Sequence, residues 1–194
     1  LLPSCKVVLC GDHVTALPDE TLKNSPTDAV ILGGDYDFAI QDFVRNPGMK
    51  GPINFGTELP LTTLPIIDRT LCRWRLYSRM GNYLRRPGTH GYSSRDCWWR
   101  HEGGCTFCSW TNTFKNYRQL SVDQFMADVE SAYALGAREY FDDAGTWAPP
   151  GRWFQEATDR LARFNLWRCH YAARMAMGCN DRPGARGLDD YRRM

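Results

Sequence analysis

No stretch of this sequence approaches the ~20 apolar residues that a membrane-crossing helix needs, and the first residues lack the charged-then-apolar order of a secretory signal. A dominant charge is missing too. The 194 residues carry a formal net charge of +2, which gives no general argument for nucleic acid or an anionic membrane as partner. Disorder-type composition is also absent, because 43% hydrophobic and 24% charged residues are globular values. The length suffices for one ordinary domain or two small ones, with a core. An initiator methionine is lacking, and the chain opens Leu1-Leu2-Pro3 directly into a strand. It closes on DRPGARGLDDYRRM, charged and without apolar period, so both ends are expected to be cut and 179–194 to be irregular.

Cysteine, by contrast, is plentiful, and its distribution is informative. Of eight, Cys5, Cys10, Cys72, Cys169 and Cys179 are scattered, while Cys97, Cys105 and Cys108 crowd one loop, YSSRDCWWRHEGGCTFCSW. That clustering argues against a disulfide framework and for a reducing, cytoplasmic setting. Several thiolates on a short loop suit an iron–sulfur cluster or zinc. The Cys105-Thr-Phe-Cys108 pair lets one turn present two sulfurs to one centre, and Gly103-Gly104 gives the backbone freedom to wrap it. Two readings stay open on the residues alone. Cys97, His101, Cys105 and Cys108 could supply a four-ligand structural zinc site in an interaction module, with the basic run Arg69 to Arg86 contacting nucleic acid. Three cysteines could instead leave one iron open for a small molecule, inside the aromatic surround of Trp98, Trp99, Phe107 and Trp110.

SSRDC followed by GCTFCS resembles the cluster loop of radical S-adenosylmethionine (SAM) enzymes, in particular the branch with an N-terminal cobalamin-binding domain, whose loop reads approximately SRGCxxxCxFCS. The first gap here is seven residues rather than three, and Asp96 stands where glycine is usual. The resemblance implies a 4Fe-4S cluster on Cys97, Cys105 and Cys108, with SAM on the fourth iron and Phe107 near its adenine. His101, at the spacing of the usual first cysteine, is the competing ligand.

Along the chain, CKVVLC (5–10) and DAVIL (28–32) read as buried strands. A short helix is expected from Pro18 and an amphipathic one over 37–45, and glycines close the strands. This is the pattern of a doubly wound parallel sheet, whose ligands sit beyond the strands' carboxyl ends. Gly11-Asp12-His13-Val14-Thr15 and Gly33-Gly34 are similar to the last two units of the cobalamin-binding domain. The similarity implies cobalamin contacts from Gly11, His13, Thr15, Gly33 and Gly34, although the rest of a corrinoid pocket is not in this chain. His13 reads otherwise as a loop histidine bonded to backbone.

From Asn46 the Pro- and Gly-rich composition marks a linker, and the arginines of 69–86 read as a solvated helix with snorkelling side chains. A strand over 89–94 then delivers the cysteine loop. Ser121 to Gln124 is a capping box opening a helix that Gly136 closes. Strands are expected at 137–141 and 166–172, with a helix over 152–164 between them, as in a (β/α) barrel with its site at the strand ends. There FDDAGTW resembles a family motif that implies contact of Asp142 or Asp143 with the SAM ammonium, and Arg174 matches a position facing its carboxylate. N-capping of the next turn, or a salt bridge for Arg174, are the structural alternatives.

The resemblance therefore implies an α/β fold. Residues 1–45 would end a doubly wound, Rossmann-like cobalamin-binding domain, 46–87 would link, and 88–178 would supply the first βα units of a partial (β/α) barrel. It implies an enzyme that cleaves SAM reductively to a 5′-deoxyadenosyl radical, for methyl transfer to an unactivated carbon or a related reaction. A small-molecule substrate and a reductant such as flavodoxin or ferredoxin are the expected partners, with no membrane and no nucleic acid.

Overall fold

The computed structural model describes residues 4–54, 59–81, 83–99, 105–109, 113–147, 151–164 and 167–169. The chain divides into two compact units, Leu1–Leu59 with Gly103–Asn116, and Pro60–Glu102 with Tyr117–Met194.

In the first unit β1 (Val8–Cys10) leads through α1 (Asp12–Ala16) and α2 (Pro18–Asn24) to β2 (Ala29–Leu32), then through α3 (Tyr36–Arg45) to β3 (Gly51–Asn54). The strands form a parallel sheet in the order β1-β2-β3, with Val30 opposite both Leu9 and Pro52. Ala29, Val30 and Ile31 are fully buried, which is why the central strand reads as an unbroken apolar run. Ala39 and Phe43, one turn apart on α3, pack with Ala29, Ile31 and Ile53. Pro18 opens α2 with Asp19 and Glu20 in its first turn, as the helix dipole favours. Residues 51–54, expected within the linker, are thus the third strand. Pro52 has no N–H to give to a ladder, and β3 pairs on one side alone among the described residues.

The second unit holds α4 (Trp74–Tyr77), β4 (Gly88–Gly91), β5 (Ser94–Arg95), β6 (Arg118–Gln119), α5 (Val122–Ala134), β7 (Glu139–Asp142), α6 (Arg152–Leu161) and β8 (Trp167–Cys169). Its parallel sheet runs β4-β7-β8, and β5 pairs antiparallel with β6. The strand predicted over 89–94 is therefore two pieces, which belong to different ladders. The Ser121 hydroxyl accepts from the Gln124 amide at 3.2 Å, the predicted cap of α5. Gly136 ends that helix at φ 88°, the left-handed conformation glycine adopts freely. Phe125, Met126, Val129 and Ala132 of α5 pack with Phe154, Ala157 and Leu161 of α6 around Tyr140 and Trp147.

Arg69 differs most from its expected place in a solvated helix. It is 4% exposed and forms a two-pronged ion pair with Asp128, at 2.7 and 2.9 Å. Its Nε donates to Thr89 at 2.9 Å and its Nη2 to the His90 carbonyl at 2.8 Å, while Tyr140 donates to Asp128 at 2.7 Å. Arg73, Arg75, Arg79, Arg85 and Arg86 are exposed as expected, although the helix there is one turn long. The whole is a mixed α/β fold with parallel sheets. Among the described residues, no helix is long and apolar enough to cross a membrane.

Candidate functional site

The carboxyl ends of β4 and β7 lie side by side, with Gly91 paired to Asp142. Asp142 is fully buried. Its carboxylate accepts from the Ser93 amide (2.9 Å), the Ser93 hydroxyl (2.6 Å) and the Ala144 amide (3.2 Å). Burial pushes its pKa up to about 6, and these donors together with the neighbouring Asp143 charge complete the balance, the former pulling down and the latter up. Asp143 is the outward member of the pair, with 59% of its side chain exposed and His90 Nδ1 at 3.9 Å. Arg174 lies outside the described residues.

Beyond Ser93 the chain pairs briefly as β5, then turns at Asp96, a buried residue with φ 68°. Aspartate is one of the few side chains that tolerate this left-handed conformation. Cys97 follows, partly exposed and not in a disulfide. Trp98 donates to the Trp147 carbonyl at 2.6 Å and packs against the second unit's core, so this tryptophan has a structural role. The Tyr117 phenol is pushed upward by burial, reinforced by Asp142, Cys97 and Asp96 nearby.

Cys105 and Cys108 belong to the first unit and Cys97 to the second. The Cys108 amide donates to the Cys105 carbonyl at 3.1 Å, closing the expected tight turn, and both cysteines are partly exposed and not in a disulfide. Phe107 within that turn is 83% exposed. His101, Gly103, Gly104 and Trp110 fall outside the described residues. Among the described residues no three His, Cys, Asp or Glu side chains gather in a metal-holding group.

In the first unit Thr15 ties the two glycine-bearing strand ends together. Its hydroxyl donates to the Gly11 carbonyl at 2.8 Å and accepts from the Gly33 amide at 3.1 Å. His13 is exposed, and its carbonyl accepts from the Leu17 amide. Asp12 accepts from Ser109 at 2.8 Å and from Thr113. The Phe114 ring fills the space that a side chain on Gly34 would occupy. The space at Gly34 is therefore already taken by this chain's own residues, whereas a side chain built at Gly11 would meet nothing within 4 Å.

Sequence reasoning missed Ser93, Thr89, Asp128 and Arg69. The signal for Ser93 was the Ser93-Ser94 pair just before the cysteine arm. Arg69 and Asp128, 59 residues apart, carry no local signal. Comparison of the chain with models of protein families, with curated proteins and with solved structures finds no match.

Proposed function

We propose that this chain is part of a radical SAM enzyme in which Cys97, Cys105 and Cys108 hold a 4Fe-4S cluster. The observation that carries the reading is the thiol set. SSRDC is followed by GCTFCS, and Cys105-Thr-Phe-Cys108 folds as a closed turn whose two cysteines are partly exposed and not in a disulfide. Soft thiolates of this number suit iron–sulfur chemistry and leave one metal position for a cosubstrate.

Two further observations support it. Asp96 adopts a conformation that glycine takes most readily, and glycine is the usual residue at this point of the resembling loops. The cysteine arm and the Asp142–Asp143 pair leave adjacent parallel strands at the same end, where α/β barrels place their sites.

When bound, the cluster and SAM would supply reductive cleavage to a 5′-deoxyadenosyl radical, fed by a one-electron donor such as flavodoxin or ferredoxin and directed at a small-molecule substrate. The chain's own residues position. The thiolates fix the cluster, a carboxylate at the end of β7 accepts from the methionyl ammonium, and Phe107 offers an aromatic face to the adenine. Arg174 is assigned the SAM carboxylate on resemblance alone. Cobalamin is given no part.

Anaerobic reconstitution with iron and sulfide tests the proposal. The expected product is brown, carries about four irons per chain, and releases 5′-deoxyadenosine from SAM under strong reductant. Cys97→Ser abolishes loading, whereas His101→Ala leaves the iron content nearly intact. A colourless protein with one tightly held zinc, as a Cys97/His101/Cys105/Cys108 interaction module predicts, overturns it.

A further inference from the structure

The two aspartates that end β7 have opposite surroundings. Asp142 is wholly enclosed, and all three of its donors belong to the backbone or side chain of Ser93 and to Ala144. Asp143 is largely open, and its amide donates to the Gly91 carbonyl at 2.8 Å, which continues the strand pairing. Ser93 is gripped from the other side as well, since its carbonyl accepts from the Leu120 amide at 2.9 Å. Three residues separate Ser93 from Cys97, and the residue after Cys97, Trp98, is fastened to the Trp147 carbonyl. The arm bearing Cys97 is thus clamped before and after its thiol. A carboxylate already engaged by three donors in a closed interior has little left to offer a ligand ammonium.

We propose that Asp142 is a positioning residue whose clasp on Ser93 sets the course of the Cys97 arm, and that Asp143 is the carboxylate that meets the SAM ammonium. The inference rests on the function proposed above and divides the pair between two tasks.

The test uses the 194-residue chain and two measurements: amide hydrogen exchange without metal, then iron content and SAM binding after reconstitution. Ser93→Ala and Asp142→Ala are expected to speed exchange across 92–97 about 10-fold while α5 and α6 amides hold. Both should load less than half the parent's iron, roughly, and Asp142→Asn, which keeps an acceptor for the Ser93 amide, should recover most of it. Asp143→Ala is expected to exchange and load like the parent but to bind SAM about 10-fold more weakly, read from the reduced cluster's electron paramagnetic resonance.

Unchanged exchange in Ser93→Ala and Asp142→Ala overturns the clasp. Full iron with lost SAM binding in Asp142→Ala makes Asp142 the ligand and overturns the division. Should Asp142→Ala not fold, the milder Ser93→Ala still decides. A parent chain that loads no iron refutes the proposed function and the Asp143 assignment with it, while the exchange data still judge the clasp.

Discussion

Arg69 lies in a run that, read along the chain, is uniformly basic and polar, yet it alone of those described arginines is buried. Its guanidinium has all its strong partners inside the second unit, and the Tyr140 ring lies 5.7 Å below it. Removing one member of such a pair strands the other charge away from water. Arg69→Met is therefore expected to lower unfolding free energy by about 3–5 kcal/mol, measured by urea denaturation. The double variant Arg69→Met/Asp128→Leu should recover a large part of that loss, because no charge is then left unpaired.

Asp142 makes a second statement at this scale. Its folded pKa of about 6 lies above the ordinary carboxylate value of 3.8, so the fold prefers the protonated form. Well below the unfolded value of 3.8 the group is neutral in both states and carries no penalty. As the pH rises toward 6 the unfolded chain ionises first, and stability falls; well above 6 both states are ionised and the loss is constant. The groups facing it, Asp143 and the phenols of Tyr117 and Tyr140, offer no positive charge to reverse the sign. Unfolding curves from pH 4 to 7 should show the parent losing of order 2–3 kcal/mol relative to Asp142→Asn, with the change centred near pH 5.

At the level of elements, local chemistry was readable wherever a strand or helix was decided by its own residues. VLC and AVIL lie within the apolar runs predicted as buried strands, of which AVIL is largely buried and VLC is half-buried to exposed. The Ser121 cap and Gly136 stop bound α5 where the capping pattern placed them. β3 was hidden because Pro52 and the flanking glycines argue for a break, and only its partner β2 makes it a strand. Gly91 shows the same dependence on a partner. A β-carbon there would collide with the Tyr140 hydroxyl and the Asp128 carboxylate. Gly91→Ala should therefore separate β4 from β7 locally and cost about 1–3 kcal/mol, seen as a lower thermal midpoint. Gly136→Ala offers a contrast, since nothing crowds that site and its cost is backbone conformation alone.

For the whole molecule, the α/β class with parallel sheets followed from alternating strand and helix patterns closed by glycines. The cysteines were named from their types and spacing, and Asp142 and Asp143 from their place at a strand end and the resemblance of FDDAGTW to a family motif. Their surroundings were not, because enclosure of Asp142 depends on Ser93, 49 residues away, and the filled space over Gly34 depends on Phe114, 80 residues on. Long-range contacts of this kind leave no periodic trace in a sequence.

The Tyr140 hydroxyl at the centre of the second unit sets how that unit meets alkali. Its phenol is held well above the usual value, by burial first and then by the Asp128 charge. Base takes this proton more readily from chains that have come apart, so past the ordinary phenol range each rise in pH draws the population toward the open state. Caustic conditions should thus dismantle the unit as one body instead of nibbling at its rim.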